Sequence, residues 1–284
     1  MSMRLTLPRM FDPGRLLDAL PKTRALGRAA TGRAARAAID RAFASRPAAE
    51  RERVWHAFLR SEIVNRIVYR LHCAFPRAAA LAARCIPVSE RRAVLAQLDE
   101  PGPLIVAAGH FGPVFLTLLA LRELSRGRRT VHVLYAERGS DRASAEQFMR
   151  DIGVHAYLDD EHCVRGLLAV MRDDPRALIV LAYDHFAGAR RPLRFLDTTI
   201  LVPDGLGYLA DRGSARVLPL RVSLDRRGMR MRFGAPTRVD AALAPAPRRR
   251  AFVDAMFAQI EAQVRVMPER WTEWPYLPFA PEAS

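Results

Sequence analysis

The apolar run Pro103 to Ala108 stops at Gly109-His110, breaks again at Gly112-Pro113, and resumes through Val114 to Leu121. A short unbroken run between such breakers predicts a buried strand, a tight turn and then an apolar helix. The same alternation continues downstream. Strands are predicted at 103–108, 130–135, 154–158 and 177–183, with helices at 113–125, 142–152 and 160–173 between them. Strand-helix alternation of this kind argues for βαβ units and a mostly parallel central sheet flanked by helices, an α/β fold. Further strands are expected at 193–201, 216–223 and 228–234. A helix is expected at 204–212 with Gly213 as its C-cap, and Arg226-Arg227-Gly228 as a hairpin turn. A linker over Ala241 to Pro247 precedes a helix at 248–266, and the Pro/aromatic tail Trp271 to Phe279 is not expected to be helical.

The first hundred residues read differently. Trp55, Leu59, Ile63, Ile67 and Leu71 recur every four residues, which predicts an amphipathic helix ending at Pro76. Ser89 is the expected N-cap of a helix over 90–98. Residues 23–45 are rich in Ala, Arg and Gly without a clean apolar stripe. The chain thus divides into a basic helical segment at 1–100 and an α/β core at 101–284. Pro101 to Leu121 is 21 residues long without Asp, Glu, Lys or Arg, close to the ~20 of a membrane span. The central Gly-His-Phe-Gly-Pro would break such a helix, so the stretch is read as strand, turn and helix.

Charge changes the picture of partners. The 284 residues carry a formal charge of +15, and only one of the 45 basic residues, Lys22, is a lysine. A single Asn, Asn65, and abundant Ala point to a GC-rich bacterial genome and to codon pressure behind part of the arginine excess. The excess is still uneven: Met1 to Arg46 holds ten basic residues against Asp12, Asp18 and Asp40. Such a segment favours an anionic membrane surface or an acidic carrier protein. Nucleic-acid binding would rest on charge alone, with no recognition motif, and is not expected. Cys73, Cys85 and Cys163 share no metal spacing, and the N-terminus lacks a signal peptide's apolar region. A cytoplasmic protein, peripheral on the inner face of the cytoplasmic membrane, is expected.

The chemistry centres on His110. It stands just past an apolar strand, where open α/β sheets bind ligands, and imidazole is the side chain suited to proton transfer near neutral pH. Of the six other histidines, His56 and His72 fall on N-terminal helices, His132 on an apolar strand, and His155 and His162 beside a charged loop. Only His185, in Tyr183-Asp184-His185-Phe186, shares the strand-end position. If 103–108 and 177–183 lie in one parallel sheet, Asp184 can reach His110 or bind substrate beside it.

These residues resemble the lysophospholipid acyltransferase superfamily, and within it the late acyltransferases of lipid A biosynthesis. Gly109-His110-Phe111-Gly112 is similar to the start of the family's His-x-x-x-x-Asp/Glu motif, and Asp184-His185 with Gly188 to its later aspartate block. Pro203 to Pro219 resembles its small-residue helix and following strand, and Pro268-Glu269-Arg270-Trp271 its closing Pro-Glu-Gln-Trp. The resemblance covers about residues 50 to 275. It implies a glycerolipid acyltransferase-like fold and transfer of a fatty acyl group from a thioester, on acyl carrier protein or coenzyme A, to a hydroxyl or amine of a lipid-like or secondary-metabolite acceptor. No metal or other cofactor is implied. His110 would be the general base, with Phe111, Gly112, Phe115 and His185 around the substrate and Arg138 where the family carries a basic residue. The motif acid falls at Phe115. Asp184 is the first candidate to replace it and Asp141 the second. The alternative is a non-catalytic partner protein that keeps the fold.

Overall fold

Leu104–Ala108 (β1) is buried at every position and so reads in the sequence as a continuous apolar run rather than an alternating one. It lies near the middle of a six-stranded sheet in the order β3-β2-β4-β1-β7-β8. The other strands are Thr130–Tyr135 (β2), His155–Leu158 (β3), Ala177–Ala182 (β4), Arg216–Asp225 (β7) and Gly228–Phe233 (β8). All pairings are parallel except the β7-β8 hairpin. The fold is α/β, as the alternation predicts. It is a computed structural model that describes residues 30–281, apart from 76, 78–79, 81–82, 85–86, 136–141, 159–161, 187 and 226–227.

The crossover helices Val114–Ser125 (α4), Arg142–Asp151 (α5) and Cys163–Asp173 (α6) start and stop within three residues of the expected positions. Ahead of them come Ala30–Ala42 (α1), Ala48–Ala74 (α2) and Arg91–Asp99 (α3). After β4 follow Arg190–Phe195 (β5), Thr198–Pro203 (β6), Gly205–Arg212 (α7) and, beyond β8, Pro245–Val266 (α8). The Pro101 to Leu121 stretch is strand, turn and helix. Among the described residues no helix is long and apolar enough to cross a membrane.

Three expectations need correction. The single strand at 193–201 is a separate two-stranded antiparallel hairpin, β5-β6. Its turn carries Leu196 at φ 53°, a left-handed residue that no turn-forming Gly or Asn announces. Ser89 does not cap α3: its N–H donates to the Met231 carbonyl, and Glu90, at φ 54°, is the N-cap. Gly213 is the C-cap of α7, as expected; its φ is −82°, and the left-handed residue is Ser214 at 47°. The tail contains two short 3-10 turns, Pro268–Arg270 and Trp274–Tyr276.

The N-terminal helices share the core of the sheet domain. On α1 the buried face is Ala35, Ala38, Ile39 and Ala42, packed with Phe43 against the 3-10 turn at Trp274. Small residues bury a face there without a strong hydropathy signal. The arginines of this segment are partly structural: Arg36 and Arg41 of α1 stack on Trp55 and Phe279, and Arg46 just beyond it on Phe43. At the amino ends of the strands Arg129 is buried and donates to the carbonyls of Leu98, Gly102, Ala177 and Glu100. Arg216 pairs there with Glu100 and Gln97. These contacts tie that end of the sheet together and leave the carboxyl ends to the site.

Candidate active site

The register of β1 on β4 pairs Leu104 with Leu178 and Ala108 with Ala182. The Tyr183 N–H extends the ladder to the Ala108 carbonyl at 3.2 Å. Two residues further on, the same offset puts His110 beside Asp184. The Asp184 carboxylate grips that residue twice. The His110 main-chain N–H donates to Oδ2 at 2.8 Å, and ring Nδ1 lies 2.7 Å from Oδ1. The Trp271 indole N–H donates to Oδ2 at 2.7 Å. Asp184 is fully buried. Burial pushes its carboxyl up, but the charge and hydrogen bond of His110 and the hydrogen bond of Trp271 outweigh it and hold it below the usual carboxylate range. An ionised carboxylate can only accept, so Nδ1 carries the proton of this contact. Nε2 is then the basic nitrogen of the ring.

The turn that presents the imidazole is built for close approach. A Cβ on Gly109 would come within 2.3 Å of Ile260 Cδ1 and 2.9 Å of the Phe111 ring, so any larger residue would push the Ile260 side chain of α8 and the Phe111 ring aside. Gly112, at φ 67°, reverses the chain into α4. The C-terminal segment fixes the turn from the other side. The Thr272 N–H and hydroxyl both donate to the His110 carbonyl, at 2.9 and 3.2 Å, and the Gly112 N–H donates to the Arg270 carbonyl at 3.0 Å. Phe111 forms a bridge with Trp271.

His110 opens on a cavity of about 380 Å³. Phe115, Leu118, Val133, Leu134, Met149 and Val180 give it apolar walls, and Glu62, Asn65 and Arg66 of α2 close one side. Burial pushes the Glu62 carboxyl up, against a hydrogen bond from Asn65, and nearby Glu273 adds to the rise. Glu273 is itself buried, with Oε1 3.6 Å from Nδ1 of His110.

Of the residues expected at the site, His110 and Asp184 meet directly. Gly112, Phe115 and His185 line the cavity, and the His185 ring centre lies 6.4 Å from that of His110. Phe115 packs against Tyr69 at 4.7 Å, so this position of α4 supplies an aromatic wall. Phe111 is corrected: it is buried in the core and does not line the cavity. Arg138 and Asp141 lie outside the described residues. Residues that sequence reasoning missed are Trp271, Thr272, Glu273, Glu62 and Asn65. Two tryptophans three residues apart in a short tail were the available signal for the first three. Among the described residues no group of three or more His, Cys, Asp or Glu could hold a metal ion. No protein-family model matches the chain, and neither does any curated protein.

Proposed function

We propose that the protein is an acyltransferase, moving a fatty acyl group from a thioester on acyl carrier protein or coenzyme A to a hydroxyl or amine of a hydrophobic acceptor. The observation that carries the reading is the 2.7 Å contact of His110 Nδ1 with the buried Asp184 at the mouth of an apolar cavity. Together with the sequence resemblance to the lysophospholipid acyltransferase superfamily, it supports this reaction over others an imidazole can serve.

In the reaction the acceptor O–H or N–H gives its proton to His110 Nε2 as its heteroatom attacks the thioester carbonyl. Asp184 keeps the tautomer and stabilises the imidazolium that forms. The carbonyl oxygen becomes an oxyanion, and Val114 and Phe115 at the start of α4 line the same cavity, where their N–H groups would receive it. The tetrahedral intermediate collapses with loss of the thiolate, which takes a proton from His110. The acyl chain lies along the apolar walls. The arginine-rich N-terminal stretch would meet an acidic carrier or an anionic membrane on the cytoplasmic side.

The test is thiol release from acyl carrier protein and coenzyme A donors, with membrane lipids as acceptors. His110→Ala is expected to bring release to background, and Asp184→Asn to lower kcat by about 10⁴, the cost of a mis-set tautomer in a comparable triad. Equal rates for wild type and His110→Ala would end the catalytic reading in favour of a partner protein with this fold.

A further inference from the structure

We propose that Glu273 is a positioning residue for His110, a second carboxylate that acts on the imidazole through its charge and raises its proton affinity. The functional meaning rests on the reading of His110 as a base; the geometry does not.

At 3.6 Å, Oε1 of Glu273 is too far from Nδ1 for a hydrogen bond, which Asp184 makes instead. It is well inside the range where an opposite charge favours the protonated ring. The Glu273 side chain is only 6% exposed, so water and salt screen it weakly.

The chain holds it there firmly. Trp271 and Trp274 on either side are both fully buried and meet edge to face at 4.8 Å. The Trp271 indole is anchored on Asp184 and the Trp274 indole on the Pro268 carbonyl, each at 2.7 Å. Thr272 sits on the backbone of His110 itself. The local turn does not require a glutamate. Residue 273 is the N-cap of the 3-10 turn, yet its side chain makes no capping hydrogen bond, a role that shorter Ser, Asp or Asn would serve.

Among the described residues, the charged and titratable groups around the ring and its cavity include Asp184 and His185 from the strand end, Glu273 from the tail, and Glu62 and Arg66 of α2. Phe115 leaves α4 without an acid at the turn. Glu273 brings a second negative charge to the imidazole from the far end of the chain.

The experiment is an NMR titration of the histidine rings, with His110→Gln used to assign the His110 signal among the seven histidines. In Glu273→Gln the His110 pKa should fall by about 1 unit, and Glu273→Asp, which keeps the charge, should recover part of the fall. In the thiol-release assay the acid limb of the kcat profile should move down by the same amount. At its plateau kcat should fall about tenfold, the equivalent of one pKa unit, with KM for the acceptor unchanged. An unshifted His110 titration in folded Glu273→Gln overturns the proposal. So does a raised acceptor KM with the titration unmoved, which makes Glu273 a substrate contact. Failure of both variants to fold makes it a structural residue and overturns it too. A shifted titration in a protein that transfers no acyl group leaves Glu273 as a positioning residue and removes only the acyltransferase reading.

Discussion

Asp184 accepts from the main chain and ring of one residue and from the indole of another, so its two oxygens have little capacity left for a ligand. It is therefore suited to orient the ring rather than to bind substrate, which separates two roles that the sequence left open. Phe115 gains a definite meaning from this. With Nδ1 already held by Asp184, a carboxylate at 115 is not needed to set the ring and would enter an apolar wall beside Tyr69 and near Glu62. Phe115→Glu is expected to lower stability by about 2 kcal/mol, from lost aromatic packing and a charge placed on a half-buried apolar wall, and to reduce transfer. Thermal unfolding and thiol release check the two halves. A gain in rate would mean that the helix-borne acid is missing in function as well as in sequence.

At the scale of elements, the β1-β4 register does most of the work, because it turns two strand ends into one site. It was legible in part: both apolar runs and the residues that follow them stand out in the sequence, but which strands are neighbours does not. The β5-β6 hairpin was illegible for a local reason, since Arg190-Arg-Pro-Leu-Arg-Phe has no clean period-two apolar pattern and its turn falls at a leucine. Helix α1 was hidden because alanine buries a face without strong hydropathy. Strands β2 and β3 carry a consequence of their own. Their register pairs His132 with His155, the rings stack at 5.0 Å, and neither nitrogen of buried His132 has a hydrogen-bond partner. Burial first, and then His155, lowers the His132 pKa below 6.5, while Asp174 opposes the shift weakly. The unfolded chain then binds this proton more readily than the folded one. The neutral ring's contribution is complete above about pH 6.5 and is lost as pH falls through the lower folded value. Urea unfolding of His132→Leu should therefore vary less with pH than wild type below pH 6.5. An identical slope in both would exclude His132 as the source.

Across the whole molecule, the charge of +15 is less of a loose surface feature than composition suggests. Arg129 and Arg216 hold the amino ends of the strands, and Arg36, Arg41 and Arg46 lie on aromatic rings. On the proposed reading, the remaining arginines would favour an anionic surface. The protein should then sediment with vesicles containing anionic lipid, be released by several hundred millimolar salt, and ignore neutral vesicles. Equal binding to both kinds would point to apolar insertion instead. Fold class and the His110-Asp184 pairing were within reach of sequence reasoning because strand patterns and chemical residue types are local signals. The tail's contribution was not, since nothing near Trp271 in the chain marks it as a neighbour of residue 110.

The distance between those two segments also has a meaning in time. Thr272 is made 162 residues after His110, which at ordinary rates of synthesis is roughly 8–30 s later. Until the ribosome has delivered the tail, the carbonyl of His110 lacks its hydroxyl partner and Asp184 its indole. A nascent chain that ends before Trp271 has no finished site, so on the proposed reading translation itself would decide when the chemistry begins.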